Sequence, residues 1–236
     1  MAKHKLERFA QLATFENVVQ PKLEEVFNKD YKLKGKWKSS FFKNSNPIIL
    51  ELGCGKGEYT VGLSQRYPDK NFIGIDIKGA RMWRGASFCI QNGIKNAAFL
   101  RTHVEHIASF FASGEVAEIW ITFPDPQEKR IRAKKRLTSS KFLELYKKFV
   151  EPTGVIHLKT DNCLLYEYTS QLALHNGLDV KVSTNDLYNS GIDDEALLSI
   201  KTFYESQFLA QGKAIKYLKF TLDGHETFLE PAWEEA

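Results

Sequence analysis

Asp125 stands between Pro124 and Pro126, directly after the apolar run Glu118–Phe123 (EIWITF). Proline cannot continue a central strand ladder, so the strand ends there and the carboxylate sits just past its tip. From Lys129 to Arg136, six of eight positions are basic and none is acidic. A carboxylate at a strand tip beside a dense cationic patch points to chemistry on a polyanion. A second constellation lies upstream. The apolar run Ile48–Leu52 opens into Glu51-Leu52-Gly53-Cys54-Gly55-Lys56-Gly57. Glycines let the backbone turn sharply and let a ligand approach it. A dinucleotide loop wants its third glycine at the position that Glu58 holds. An acid two residues before the first glycine opposes a pyrophosphate and suits an ammonium group. S-adenosylmethionine has a cationic amino-acid end, a sulfonium and no phosphate. It is the expected cofactor, held by Glu51, Gly53, Gly55 and Gly57; a nucleotide site and a merely structural glycine turn are the alternatives. Asp76, at the next apolar strand's end, is placed to accept from ribose hydroxyls.

The elements that must position these groups follow from periodicity and punctuation. Strands are expected at Ile48–Leu52, Phe72–Ile77, Ala97–Leu100, Ile119–Phe123, Gly154–Leu158, Leu178–Ser183 and Ile215–Leu222. Helices are expected at Leu6–Val19, Glu58–Gln65, Ala80–Asn92, Ser139–Val150, Cys163–His175 and Glu195–Ala210. Repeated strand–helix units predict an α/β fold: a Rossmann-like, mostly parallel, seven-stranded sheet with helices on both faces. Ligands in such sheets bind beyond the carboxyl ends of the strands. The chemically distinctive residues fall there: Glu51–Gly57, Asp76, His103, Asp125, and Thr160 with Asp161.

Composition narrows the partner. The chain has 236 residues, with 33 Lys and Arg against 29 Asp and Glu. Charge is distributed unevenly: residues 1–46 hold ten basic and five acidic residues, and residues 223–236 hold five acids and no Lys or Arg. A globular body with basic stretches fits nucleic acid better than a neutral metabolite. Three expected regions follow: a basic, aromatic N-terminal arm (1–46), a catalytic domain (47–222) and an acidic tail (223–236). Tyr31–Lys43 (YKLKGKWKSSFFK) interleaves lysines with aromatics, which suits RNA; an arm packing those rings on the main domain fits as well. Cys54, Cys89 and Cys163 show no paired spacing, so neither a zinc site nor a disulfide is expected. No apolar run approaches membrane-spanning length, and a cytoplasmic protein without an obligate protein partner is the expectation.

The glycine loop with Asp76 resembles the class I S-adenosylmethionine-dependent methyltransferases. In that class a residue near the adenine often sits where His103 lies. The run Phe123–Leu137 (FPDPQEKRIRAKKRL) narrows the resemblance to the tRNA (guanine-N7)-methyltransferase family, which typically reads FPDPWPKKRHxKRRL. Phe123, Pro124, Asp125, Pro126, Lys129, Lys134, Arg136 and Leu137 match. Gln127 and Glu128 replace Trp-Pro, and Ile131 and Arg132 replace Arg-His. Leu158-Lys159-Thr160-Asp161 and Thr202-Phe203-Tyr204-Glu205 are similar to two further family segments. The resemblance implies methyl transfer to guanine N7 of tRNA, in the variable loop. Asp125 is then the catalytic residue and a cofactor neighbour. Lys129, Asp161, Thr202, Phe203, Tyr204 and Glu205 are substrate contacts, with Asp161 and Glu205 able to accept from guanine N1–H and its 2-amino group. Lys134, Lys135 and Arg136 are RNA phosphate contacts. Duller readings stand beside these: Asp125 as a turn cap, Asp161 as a helix cap, Glu205 as a solvated helix residue, Lys129 as surface charge and Tyr204 as core. Alternatives in function are a class I methyltransferase acting on another RNA, a protein or a small-molecule nitrogen, and a non-catalytic RNA-binding subunit.

Overall fold

The computed structural model describes residues 2–222 and 227–231. Of the expected acidic tail, residues 223–226 and 232–236 thus lie outside the described residues. In chain order the elements begin with α1 (Ala2–Leu12), β1 (Val18–Val19), β2 (Ile48–Leu52), α2 (Glu58–Arg66) and β3 (Asn71–Asp76). Next come α3 (Gly79–Gln91), β4 (Ala97–Arg101), β5 (Val116–Thr122), α4 (Ser140–Tyr146) and β6 (Val150–Thr160). The chain continues through α5 (Cys163–His175), β7 (Val180–Thr184), α6 (Glu195–Ser199), α7 (Phe203–Ala210) and β8 (Lys216–Thr221).

Among the described residues, eight strands form a single sheet in the order β1-β4-β3-β2-β5-β6-β8-β7. Neighbours from β1 to β6 pair parallel, while β8 pairs antiparallel with both β6 and β7. The strand β2 is buried along its whole length, as a central parallel strand covered on both faces must be. Its side chains alternate between cores: Ile48, Leu50 and Leu52 join one cluster, and Ile49 joins another. Trp37, Phe142, Leu165 and Leu172 lie in the first cluster; Tyr59, Leu63 and Leu197 lie in the second. This register leaves Glu51 as the one charge inside the strand.

Three expectations change. The sheet has eight strands because Val18–Val19 adds an edge strand, pairing with Phe99 and Leu100. The expected helix Leu6–Val19 accordingly ends at Leu12, since β-branched valines suit the pleated edge and cover it. The single helix expected over Glu195–Ala210 is split. Ile200 is extended, and Thr202 N-caps α7 by accepting from the Glu205 N–H at 3.1 Å. The basic, aromatic segment packs inward. Trp37 is fully buried, stacks on Phe111 at 5.5 Å, and donates its Nε1–H to the Phe110 carbonyl. Glu115 accepts from the backbone N–H groups of Gly35 and Trp37 and so fastens this segment.

Candidate active site at the carboxyl end of the sheet

After β4 the chain crosses back to β5, which lies on the other side of β2, so a crevice opens beyond the carboxyl end of β2. A cleft of about 610 Å³ occupies it. Its walls come from the glycine loop, Asp76, the strand-tip loop after β5, and the first turn of α7.

Burying the Glu51 carboxylate is costly unless it is well hydrogen-bonded. Here Oε2 accepts from the backbone N–H of Thr60 at 2.8 Å and from the Thr60 hydroxyl at 2.5 Å. Oε1 accepts from the Thr122 hydroxyl at 2.8 Å. Burial nevertheless outweighs these bonds and pushes its pKa up to about 7. A carboxylate has about four acceptor sites, so Glu51 keeps capacity for a cationic group in the cleft. Thr122 escaped the sequence reading, although its place at the end of β5 was a usable signal.

Gly53 and Gly55 take left-handed φ values of 73° and 55° and line the cleft. A side chain at Gly53 would meet nothing within 4 Å, so the loop presents bare backbone to open space. Asp76 ties the loop down: Oδ2 accepts from the Gly55 N–H at 2.9 Å, and Oδ1 from the Lys78 N–H at 2.7 Å. Gly57 serves differently from expectation. It is outside the cleft lining, and a Cβ there would fall 2.5 Å from the Phe99 ring. Its absent side chain permits close packing of the loop on β4. His103 is also outside the lining; it is exposed and leads into a 3₁₀ turn at Val104–Ser109. The bare backbone, the acceptors of Asp76 and the buried Glu51 fit S-adenosylmethionine, which carries hydroxyls and an ammonium group but no phosphate.

The strand-tip loop is conformationally constrained. Phe123 and Gln127 both adopt left-handed φ values, 48° and 47°, on either side of Pro124-Asp125-Pro126. Such conformations cost of order 1–3 kcal/mol each and persist where neighbours hold them. The Phe123 N–H donates to the Lys159 carbonyl, and Asp125 Oδ1 accepts from the Gln127 N–H at 3.0 Å. Asp125 remains exposed and lines the cleft. The departures from the family pattern are accommodated here: Glu128 accepts from the Asn162 amide at 3.1 Å.

Arg136, expected on RNA phosphate, turns inward instead. It is 2% exposed, donates to the carbonyls of Pro126 and Gln127, and lies 4.3 Å over the Tyr168 ring. It clamps the loop carrying Asp125. Lys129, Lys134 and Lys135 are exposed on and beside the turn Arg130–Lys135, and Lys135 lines the cleft. Lys56, Lys78 and Arg81 add cations to that lining and were not singled out from sequence.

Thr202, Phe203 and Tyr204 line the opposite wall. Phe203 and Tyr204 are 48% and 45% exposed, and Tyr204 continues through Phe208 to Phe123 as a run of ring contacts. The two expected guanine acceptors are not in the cleft lining. Glu205 is fully buried, paired with Lys159 at 2.7 Å and accepting from the Tyr188 hydroxyl. Asp161 pairs with Lys213 at 3.3 Å. Sequence type alone could not separate an inward from an outward carboxylate.

Comparison with known proteins identifies the family and the fold. Residues 45–218 match a family model described as "Putative methyltransferase". A tRNA (guanine-N(7)-)-methyltransferase of Bacteroides fragilis is 54% identical over 231 residues, covering 98% of this chain and 90% of that protein. The chain belongs to the tRNA (guanine-N7)-methyltransferase family. A relative of the same name from Christiangramia forsetii is 50% identical, covering 94% of this chain and 99% of its own. Solved structures share the fold at low identity. The 16S rRNA methyltransferase KamB superposes with a TM-score of 0.60 at 14% identity, over 80% of this chain and 92% of that one. A 16S rRNA adenine methyltransferase variant from Catenulisporales acidiphilia, solved with its cosubstrate S-adenosylmethionine, gives 0.55 at 12%, over 83% and 93%. The class I methyltransferase fold of this family member is thereby established. No described helix is long and apolar enough to cross a membrane.

Proposed function

We infer that this chain transfers a methyl group from S-adenosylmethionine to N7 of a guanine in tRNA, and that it does so in the cytoplasm on the variable loop. The observation that carries the reading is the joining of two chemically different ends in one cleft: Gly53, Gly55 and Asp76 at one, Asp125 and the Phe203–Tyr204 wall at the other.

Gly53, Gly55, Glu51 and Asp76 hold the cofactor, which when bound supplies an electrophilic methyl group. Guanine N7 carries an in-plane lone pair and no proton, so the chain needs no general base. Its work is to orient the base, exclude water and hold countercharge. Alignment of the reacting groups contributes up to roughly 7–11 kcal/mol in favourable intramolecular cases. Phe203 and Tyr204 offer ring faces for stacking, worth about 1–3 kcal/mol per base. Asp125 holds a fixed negative charge where the imidazole ring becomes cationic, and preorganised charge of this kind supplies much of the rate enhancement in many enzymes. Lys129, Lys134 and Lys135 bind phosphates around the cleft mouth and position the RNA without reading its sequence.

The deciding experiment incubates the protein with an unmodified tRNA transcript and labelled S-adenosylmethionine, then digests and maps the product. 7-Methylguanosine in the variable loop is expected. Methylation confined to an exocyclic amine, a ribose or a protein would overturn the reading, as would RNA binding without any transfer.

A further inference from the structure

Phe203 is the first residue of α7, and its N–H has no acceptor within the helix. It donates to Glu58 Oε2 at 2.9 Å. Glu58 is itself the first residue of α2, directly after the glycine loop. Its carboxylate therefore caps a helix far along the chain, at the end where a helix favours negative charge. Lys56, within the same loop, places Nζ 3.8 Å from the centre of the Phe203 ring and 3.7 Å from Glu58 Oε1. One residue of the cofactor loop and the first residue of the helix that follows it thus grip one residue of the wall that faces the base.

We propose that Lys56 and Glu58 are positioning residues that clasp the first turn of α7 to the cofactor loop, so that filling the cofactor end of the cleft orders the wall that receives the base. The proposal rests on the methyltransferase reading above. Lys56 lies between Gly55 and Gly57, both at left-handed φ, so any adjustment of the loop backbone carries its side chain along. The body of α7 and the segment leading into it have separate anchors. Ile200 covers Gly62, where a Cβ would meet it at 2.7 Å, and Glu205 is held by Lys159. The clasp consequently governs the first turn and the facing of Phe203 and Tyr204, while the helix stays in place without it. It lies on the partly exposed rim, where charged contacts contribute little to stability. Its effect is the joining of the two ends of the cleft, making occupancy of one dependent on the other.

Calorimetric titration of S-adenosylhomocysteine, with and without unmodified tRNA, tests this on the full chain. In the wild type, tRNA should tighten binding of that ligand about fivefold or more. Lys56→Met and Glu58→Ala should bring the ratio close to one, leaving binding without RNA within about twofold. Glu58→Gln keeps an acceptor oxygen for the Phe203 N–H and should retain most of the coupling. Wild-type protein without coupling, or both disruptive variants with full coupling, would overturn the clasp while leaving the methyltransferase reading intact. Loss of S-adenosylhomocysteine binding in those variants without RNA would also overturn it, making these residues cofactor contacts. A wild type that methylates no tRNA fails the functional reading separately.

Discussion

Lys159 Nζ meets Glu205 Oε1 at 2.7 Å with both side chains fully buried, pinning α7 to β6. Lys159 also donates to the Leu197 carbonyl, and burial lowers its pKa against the opposing pull of Glu205. Removing one member of such a pair strands a buried charge, at a cost of about 3–5 kcal/mol. Glu205→Leu should therefore unfold at markedly lower urea, and Lys159→Met combined with Glu205→Leu should recover most of the loss. A Glu205→Leu protein of native stability that had lost only tRNA methylation would restore Glu205 as a guanine contact.

Glu51 ties stability to pH. Its folded pKa of about 7 lies above the ordinary 4.5. The folded chain thus holds an extra proton between those values, and stability falls as pH rises across that window. The displacement corresponds to on the order of 3 kcal/mol. Glu51→Gln should raise the melting temperature of the ligand-free protein at about pH 8 and change it little at about pH 5. The same substitution should weaken S-adenosylmethionine binding about tenfold or more, because a neutral amide cannot answer an ammonium group. Thermal melts at both pH values and one titration check the pair of expectations.

Asp125 has a structural and an electrostatic part, and substitution separates them. Asp125→Asn keeps an oxygen for the Gln127 N–H and loses the charge. Its kcat for tRNA methylation should fall about 100-fold with little change in KM, as for loss of one preorganised electrostatic group. Asp125→Ala should also disturb the loop and raise KM. Equal rates for wild type and Asp125→Asn would remove charge stabilisation from the mechanism.

The basic segment divides by direction. Lys134→Ala and Lys135→Ala should each weaken tRNA binding and lower the slope of log affinity against log salt by about 0.7–0.9. Arg136→Ala should leave that slope nearly unchanged. Losing its bonds to Pro126 and Gln127 should instead destabilise the loop and depress kcat. Filter binding across a salt series, alongside steady-state rates, distinguishes the two behaviours.

Much of this was legible locally. The apolar run Ile48–Leu52, the glycine spacing after it, Asp76 at the next strand end and Asp125 between prolines are properties of short windows. Backbone geometry and strand periodicity act over the same range, so sequence alone determined the mostly parallel sheet, apart from its edge strand Val18–Val19, and the sheet end at which these residues gather. Direction was not legible. Arg136 and Lys135 are adjacent and alike in charge, yet one clamps a loop and the other lines the cleft. Glu205 is buried by Lys159 and Tyr188, partners from other elements. Trp37 read equally well as an RNA platform and as core until Phe110 and Phe111 were seen to receive it. A charged or aromatic side chain goes inward only where distant residues satisfy it, and that pairing exists only after the chain has folded.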